Sequence, residues 1–282
     1  YPNTPDEAFL LSGDGYFDND ALAVQRMHAP EPKAVGWFDF PEPAEMGDIP
    51  RDWRFRERAR GGIRIWHHPE KGVPYVLGGD TAGEGSDRFT AHVLDNRTGA
   101  QVAELQMPLS EIQYARQIYC LGRYYNDALV AVEINHSTYP EVKLEEWHYP
   151  TLYQRERFDT YKNRMVPSLG WVTSTKTRPQ MLAALHTVME EAPELVVSAW
   201  TLGEMITFVY DENRKPQAAT GEHDDLVIAA AIAHSVRGQQ RYSVQEDAAD
   251  RKHWTADMWA DWRRADAETK KRLESEWRRS AQ

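Results

Sequence analysis

Three acidic points in this chain stand where buried elements end or begin. Asp80 closes the apolar run PYVLGGD, Glu133 closes DALVAVEIN, and Asp224 and Asp225 precede the alanine-rich run LVIAAAIA. A carboxylate buried beside an apolar strand is costly unless it is paired or coordinated. Several carboxylates gathered at one place raise one another's pKa values unless a divalent cation sits among them. Mg2+ accepts a few carboxylates together with waters and phosphate oxygens. Two such ions, roughly 3.5–4 Å apart, activate a water and stabilise the leaving oxygen in phosphodiester cleavage. Metal-assisted phosphodiester hydrolysis is therefore the chemistry these residues could carry.

Each point also has a plainer reading. Asp80-Thr81-Ala82-Gly83 could be a turn, Glu133 could make a strand-end hydrogen bond, and Asp224 and Asp225 could be charges favoured by a helix dipole. Their order along the elements adds what no single one of them supplies. GIRIWHHP alternates like a strand. PYVLGGD, FTAHVLD and QVAELQM read as three sequential strands, and NRTG between the second and third is a hairpin turn signal. This predicts an antiparallel meander. SEIQYARQIYCLGRYYN has helical spacing, with Ser110 as N-cap and Ile112, Ala115, Ile118, Tyr119, Leu121 and Gly122 on one face. DALVAVEIN reads as a buried strand, EVKLEEWH as a helix opened by Pro140, and TLYQRE as a further short strand. RPQMLAALHTVMEE is helical with Pro179 near its first turn, SAWTLGEMITFVY runs from helix into strand, and GEHDDLVIAAAIAHSVRG is a helix stopped near Gly238.

The order β-β-β-α-β-α followed by further α/β predicts a mixed sheet with helices on both faces. It is the ribonuclease H-like arrangement, in which acidic residues of a first strand, a fourth strand and a late helix converge. Residues 1–60, punctuated by Pro2, Pro5, Pro30, Pro32, Pro41, Pro43 and Pro50, read as a linker and lead-in strands and not as an independent domain, with WFDFPEPAEMGDIP an extended segment packed by its aromatics. The expected domain spans 61–240, and 241–282 reads as a charged helical tail.

Other chemistries are set aside on the residues. GGDTAGEGS lacks Gly-Lys-Ser/Thr at its end and is followed by a strand pattern, so it is not a phosphate loop, and no Walker A motif occurs elsewhere. Gly-x-Ser-x-Gly is absent. His67 and His68 precede Pro69 in a turn, whereas His223 adjoins the acidic doublet and could sit near bound metals without ligating them. The single cysteine, Cys120, falls in an amphipathic stretch and is expected as a small core residue; it permits no internal disulfide and no cysteine-based zinc site, a profile that fits a reducing cytoplasm. No apolar run approaches 18 residues and the first residues show no signal-peptide pattern, so neither a membrane span nor secretion is expected. A net charge of −11 argues against non-specific nucleic-acid binding. Basic residues are nevertheless concentrated locally at Arg155, Arg157, Lys162, Arg164, Lys176 and Arg178, and a local basic face can bind phosphates on an acidic chain.

Segments from residue 1 to about residue 237 resemble, in family order, the C-terminal nuclease part of the large terminase subunit of tailed bacteriophages, the DNA-packaging motor. YPNTPDEAFLLSGDGYFD resembles the segment that follows the motor's ATPase domain. YVLGGDTAGEGSDRFTAHVLD resembles the first nuclease strand pair, LVAVEINHSTYPEVKLEE the second acidic motif, GWVTSTKTRPQML the lead into the late helix, and GEHDDLVIAAAIA the third acidic motif. The resemblance implies Asp80, Glu133, Asp224 and Asp225 as catalytic residues holding two Mg2+ or Mn2+ ions. It implies metal-dependent endonucleolytic cleavage of concatemeric double-stranded viral DNA, with water as nucleophile and no covalent enzyme intermediate. ATP-binding loops are absent from this chain, so it would be the nuclease half alone. Implied partners are double-stranded DNA, the ATPase domain of the same motor, the portal and the small terminase subunit, in the cytoplasm of an infected bacterium. Lys162, Arg164, Lys176 and Arg178 are candidates for backbone contacts, and a tail helix carrying Trp259 and Trp262 is a candidate for docking on a partner such as the portal. Another ribonuclease H-like enzyme, such as a Holliday-junction resolvase or a transposase-like strand-transfer enzyme, would use the same carboxylates. A non-catalytic docking module would keep the fold without cleaving.

Overall fold

The computed structural model describes residues 15–41, 49–81, 88–160, 163–240 and 254–265, with 269, 272–273 and 276–277. Its centre is a seven-stranded sheet. The strands, in chain order, are β1 (Ala34–Asp39), β2 (Arg54–Glu57), β3 (Ile63–Ile65), β4 (Tyr75–Asp80), β5 (Phe89–Asp95), β6 (Gln101–Met107) and β7 (Leu129–Val132). Their spatial order is β2-β1-β3-β6-β5-β4-β7. The β4–β5–β6 meander is antiparallel, as the alternation and the NRTG turn predict, and β7 pairs with β4 in parallel. Order 3-2-1-4 within β6-β5-β4-β7, with one parallel pair, is the ribonuclease H-like core.

The parallel pair needs a crossover, and α2 (Glu111–Tyr124) supplies it. Its N-terminus carries a full capping box from Ser110 and Gln113. Two layers of apolar packing lie on opposite faces of the sheet. On one face Leu77, Val93, Leu105, Val130 and Val132 meet Tyr114, Ala115, Ile118 and Leu121 of α2 and Leu144 of α3 (Tyr139–Glu146). On the other face Val76, Leu129 and Ala131 meet helices α4 (Thr177–Glu191), α5 (Ala199–Ile206) and α6 (Asp225–Val236). Successive residues of β4 and β7 thus enter opposite layers, which explains why LVAV is apolar at every position rather than alternating. Cys120 is buried in the first layer.

The sheet crosses the boundary expected at residue 60. β1 pairs with both β2 and β3, so part of the proline-punctuated lead-in forms the sheet's far edge. Gln117 of α2 fastens it, accepting from the Phe38 amide at 2.8 Å and donating to the Phe38 carbonyl at 2.9 Å. Another element outside expectation is β9 (Arg164–Leu169), which forms an antiparallel ribbon with β8 (Gln154–Asp159). A short pair, β10 (Phe208–Tyr210) and β11 (Pro216–Ala218), leads from α5 towards α6, and α1 (Asn19–Met27) packs Leu22 into the second layer.

In the tail, α7 (Ala256–Arg264) begins at a capping Thr255. Trp254 packs against Trp259, Trp262 and Trp277, with ring centroids 4.9, 6.1 and 4.8 Å away. Trp254 and Trp259 are buried. The tryptophans expected to face a partner are thus engaged largely with one another. Among the described residues no helix is long and apolar enough to cross a membrane.

Candidate active site

Asp80 is the last residue of β4, and Glu133 follows the last residue of the neighbouring parallel strand β7. The ladder continues to this point: the Glu133 amide donates to the Gly79 carbonyl at 2.9 Å. Carboxyl ends of adjacent parallel strands form the crevice in which open α/β sheets bind ligands. Beyond β7 the ladder is extended by Trp171, which bridges Glu133 in parallel; its amide donates to the Val132 carbonyl at 2.8 Å and its carbonyl accepts from the Ile134 amide at 2.9 Å. Trp171 lies two residues beyond the β8–β9 ribbon.

The third acidic point arrives on α6, which packs directly across β4. A Cβ at Gly78 would collide with the Ala233 amide nitrogen and the Ala229 carbonyl oxygen of α6. On the opposite face, a Cβ at Gly79 would collide with the Tyr114 hydroxyl of α2. The two glycines before Asp80 therefore let a helix backbone and a tyrosine approach the same strand from its two sides. Asp224 is the N-cap residue of α6 and Asp225 its first residue.

A cavity of about 220 Å³ is lined by Asp80, Thr81, Glu133, Asn135, His136, Thr173, Arg178, Asp224, Asp225 and Ile228. The four sequence-predicted acids thus lie on one cavity. Asp80 is 8 %, Glu133 5 % and Asp225 9 % exposed. Burial holds the Asp80 carboxyl well above the usual carboxylate range, and Glu133 beside it and the charges of Asp225 and Asp224 add to the effect.

Asp225 is held at several atoms. Its Oδ2 accepts from the Arg88 amide at 3.3 Å, the His223 Nδ1 lies 3.7 Å from that oxygen, and its carbonyl accepts from the Thr90 hydroxyl at 2.8 Å. The Asp224 Oδ2 accepts from the Arg178 Nη2 at 3.1 Å. Asn135 and Thr173 exchange two bonds across the cavity wall, Asn135 Nδ2 to the Thr173 carbonyl at 2.5 Å and the Thr173 amide to Asn135 Oδ1 at 2.9 Å.

The donor set is hard oxygen, which fits Mg2+ or Mn2+. Its orientation is less complete. Among the described residues no three acidic, histidine or cysteine side chains are arranged to hold one ion. Asp224 is turned to Arg178.

The cationic candidates separate. Arg178 lies in the cavity wall, paired to an acid, whereas Arg164 is exposed on β9 and Lys176 is exposed at the N-cap of α4. Lys162 and residues 82–87 fall outside the described residues. Asn135, His136 and Thr173 belong to the cavity without having been anticipated; Asn135, two positions after Glu133 in VEIN, carried the one legible signal.

No protein-family model matches the chain, and no curated protein matches it. Among solved structures it is similar to the large terminase nuclease from thermophilic phage G20c, at 20% identity and a TM-score of 0.48, over 63% of this chain and 90% of that one. The same G20c nuclease with bound magnesium aligns at 19% identity and a TM-score of 0.48, over 63% of this chain and 89% of that one. The large terminase nuclease domain of Thermus phage P74-26 aligns at 22% identity and a TM-score of 0.46, over 66% of this chain and 92% of that one.

Proposed function

We propose that this chain is a divalent-metal-dependent endodeoxyribonuclease that cleaves concatemeric double-stranded viral DNA during genome packaging. One observation carries the hydrolytic reading: Asp80 and Glu133, at the carboxyl ends of two parallel strands, share a cavity with the Asp224–Asp225 doublet. The packaging role rests on the order of the sequence motifs.

Asp80, Glu133, Asp224 and Asp225 would hold two Mg2+ or Mn2+ ions. Bound there, the ions would lower the pKa of water and neutralise charge developing on the phosphate. The chain's own groups do the rest. Burial of Asp80 and Glu133 keeps bulk water from screening their charge. Arg178 offsets part of the negative charge on Asp224 and offers a guanidinium to an incoming phosphate. Asn135 and Thr173 stiffen the wall opposite α6. Arg164 and Lys176, exposed beside the ribbon and at the start of α4, would meet the DNA backbone, and Lys162 is assigned with them.

The overall charge of −11 suits a nuclease whose DNA is delivered by other parts of a motor. The ATPase domain of that motor, the portal and the small terminase subunit are the partners this reading names, in the cytoplasm of the infected host.

The decisive experiment is cleavage of supercoiled plasmid with Mg2+, Mn2+ or EDTA, comparing wild type with Asp80→Ala and Glu133→Ala. Cleavage is expected only with metal and only in wild type. Cutting in EDTA, or by both variants, would refute the assignment.

A further inference from the structure

The acidic doublet at the start of α6 leaves a capping task undone. Asp224 occupies the N-cap position, where an aspartate side chain ordinarily accepts from the second or third helical amide. It makes no such bond and turns to Arg178 instead. The second helical amide, that of Leu226, donates to another carboxyl group: the Glu204 Oε2, 2.7 Å away, reaching across from α5. The other Glu204 oxygen accepts from the Gln106 Nε2 of β6 at 2.8 Å.

We propose that Glu204 is a positioning residue for the Asp224–Asp225 doublet, an N-cap acceptor supplied by a different helix that relieves the Asp224 carboxylate of capping its own backbone. The proposal rests on the nuclease reading only in naming what the doublet is held for. Helix N-termini leave their first amides without partners, and a buried one must find an acceptor. Had Asp224 filled that role, its carboxylate would be bound to its own backbone. Glu204 is also separate from the cavity wall, so it acts through α6 and not on a bound ion. Its anchor is well placed: Gln106 sits opposite Thr90 in the β5–β6 register, and the Thr90 hydroxyl donates to the Asp225 carbonyl. The amide after Asp225 and the carbonyl of Asp225 are therefore both tied to the same pair of strands.

The test uses the full chain with Glu204→Ala, Glu204→Met and Glu204→Gln. Glutamine keeps an oxygen for Leu226, and its amide can donate to the Gln106 Oε1, which is otherwise without a hydrogen-bond partner. Methionine fills the space with no acceptor, covering the case in which alanine collapses. Three quantities are read: exchange of the Leu226 amide by NMR, Mn2+ affinity by calorimetry, and plasmid cleavage. Losing the acceptor is expected to speed Leu226 exchange and weaken Mn2+ binding by about tenfold each, with cleavage falling in parallel, while Glu204→Gln stays within about threefold of wild type. Unchanged Leu226 exchange and Mn2+ affinity in both the alanine and the methionine variants would overturn the proposal. So would a glutamine variant as impaired as they are, which would mean that the charge itself is needed. Should wild type fail to cleave DNA, the nuclease reading falls, but amide exchange and Mn2+ affinity still decide the role of Glu204.

Discussion

Asp80 and Glu133, separated by 52 intervening positions in the chain, stand side by side at the carboxyl ends of the parallel strands β4 and β7. Burial first, and then the neighbouring carboxylates of Glu133, Asp225 and Asp224, disfavour the charged form of Asp80 and hold its pKa well above the usual carboxylate range. A group whose folded pKa is raised contributes stability in full below its unfolded value, near 3.8, and that contribution is lost as pH rises through the folded value. In EDTA the protein should therefore lose thermal stability as pH is raised. Asp80→Asn should flatten that dependence while abolishing cleavage, and Mn2+ should restore stability at high pH to wild type only. A melting profile in EDTA identical for wild type and Asp80→Asn at every pH would contradict the electrostatic account.

Gly78→Ala tests the contact between β4 and α6. The added methyl group meets helix backbone, which cannot rotate aside as a side chain would. Destabilisation of about 3 kcal/mol is expected in urea unfolding, at the upper end of overpacking costs. Any folded fraction should cleave poorly, since α6 carries the acidic doublet.

Glu141, in the first turn of α3, is buried with neither carboxyl oxygen in a well-formed hydrogen bond; the Gly170 amide is its nearest polar relief. Burial, helped by Glu145, pushes its pKa up to about 8. Its contribution to stability is present below about 4.5 and is lost as pH rises towards 8. Glu141→Gln should leave stability at pH 5 nearly unchanged and raise it at pH 9, by on the order of 3 kcal/mol. Chemical denaturation at the two pH values checks the sign.

Arg178 pairs with the Asp224 carboxylate in a partly exposed ion pair. Arg178→Ala should change stability by less than about 0.5 kcal/mol. It should lower the Mn2+ concentration needed for half-maximal cleavage, because the released carboxylate adds negative charge to the cavity. A higher metal requirement would show that the guanidinium serves catalysis and not only charge balance.

The Trp254 cluster belongs to neither apolar layer of the sheet. Removing residues 241–282 should leave the melting temperature of the remainder within about 2 °C, while abolishing the fluorescence of four clustered tryptophans. A large drop would mean that the tail supports the sheet.

Much of the site could be read from residue order. Asp80, Glu133 and the doublet were legible because each sits at the border of an apolar run, where a charge is conspicuous. The meander and α2 were legible because alternation, the NRTG turn and the Ser110 cap act locally. Residues 34–57 were legible as extended lead-in packed by its aromatics, but not as part of the main sheet, because pairing with β3 is a long-range event. Glu141 and Glu204 were opaque. Each looks like a solvent-facing glutamate on a helix, and only the packing of that helix makes it an interior group. Arg178 read as a free cation because its partner lies 46 residues away.

The Trp171 rung joins the β8–β9 ribbon to the end of the sheet that carries Asp80 and Glu133. The ribbon's outgoing strand reaches, within two residues, a backbone hydrogen-bonded on both sides of Glu133. Its incoming strand is tied to β7 as well, through the Tyr153 amide on the Val130 carbonyl at 2.8 Å, so the exposed ribbon and the end of the sheet that carries Glu133 are joined at both of the ribbon's roots.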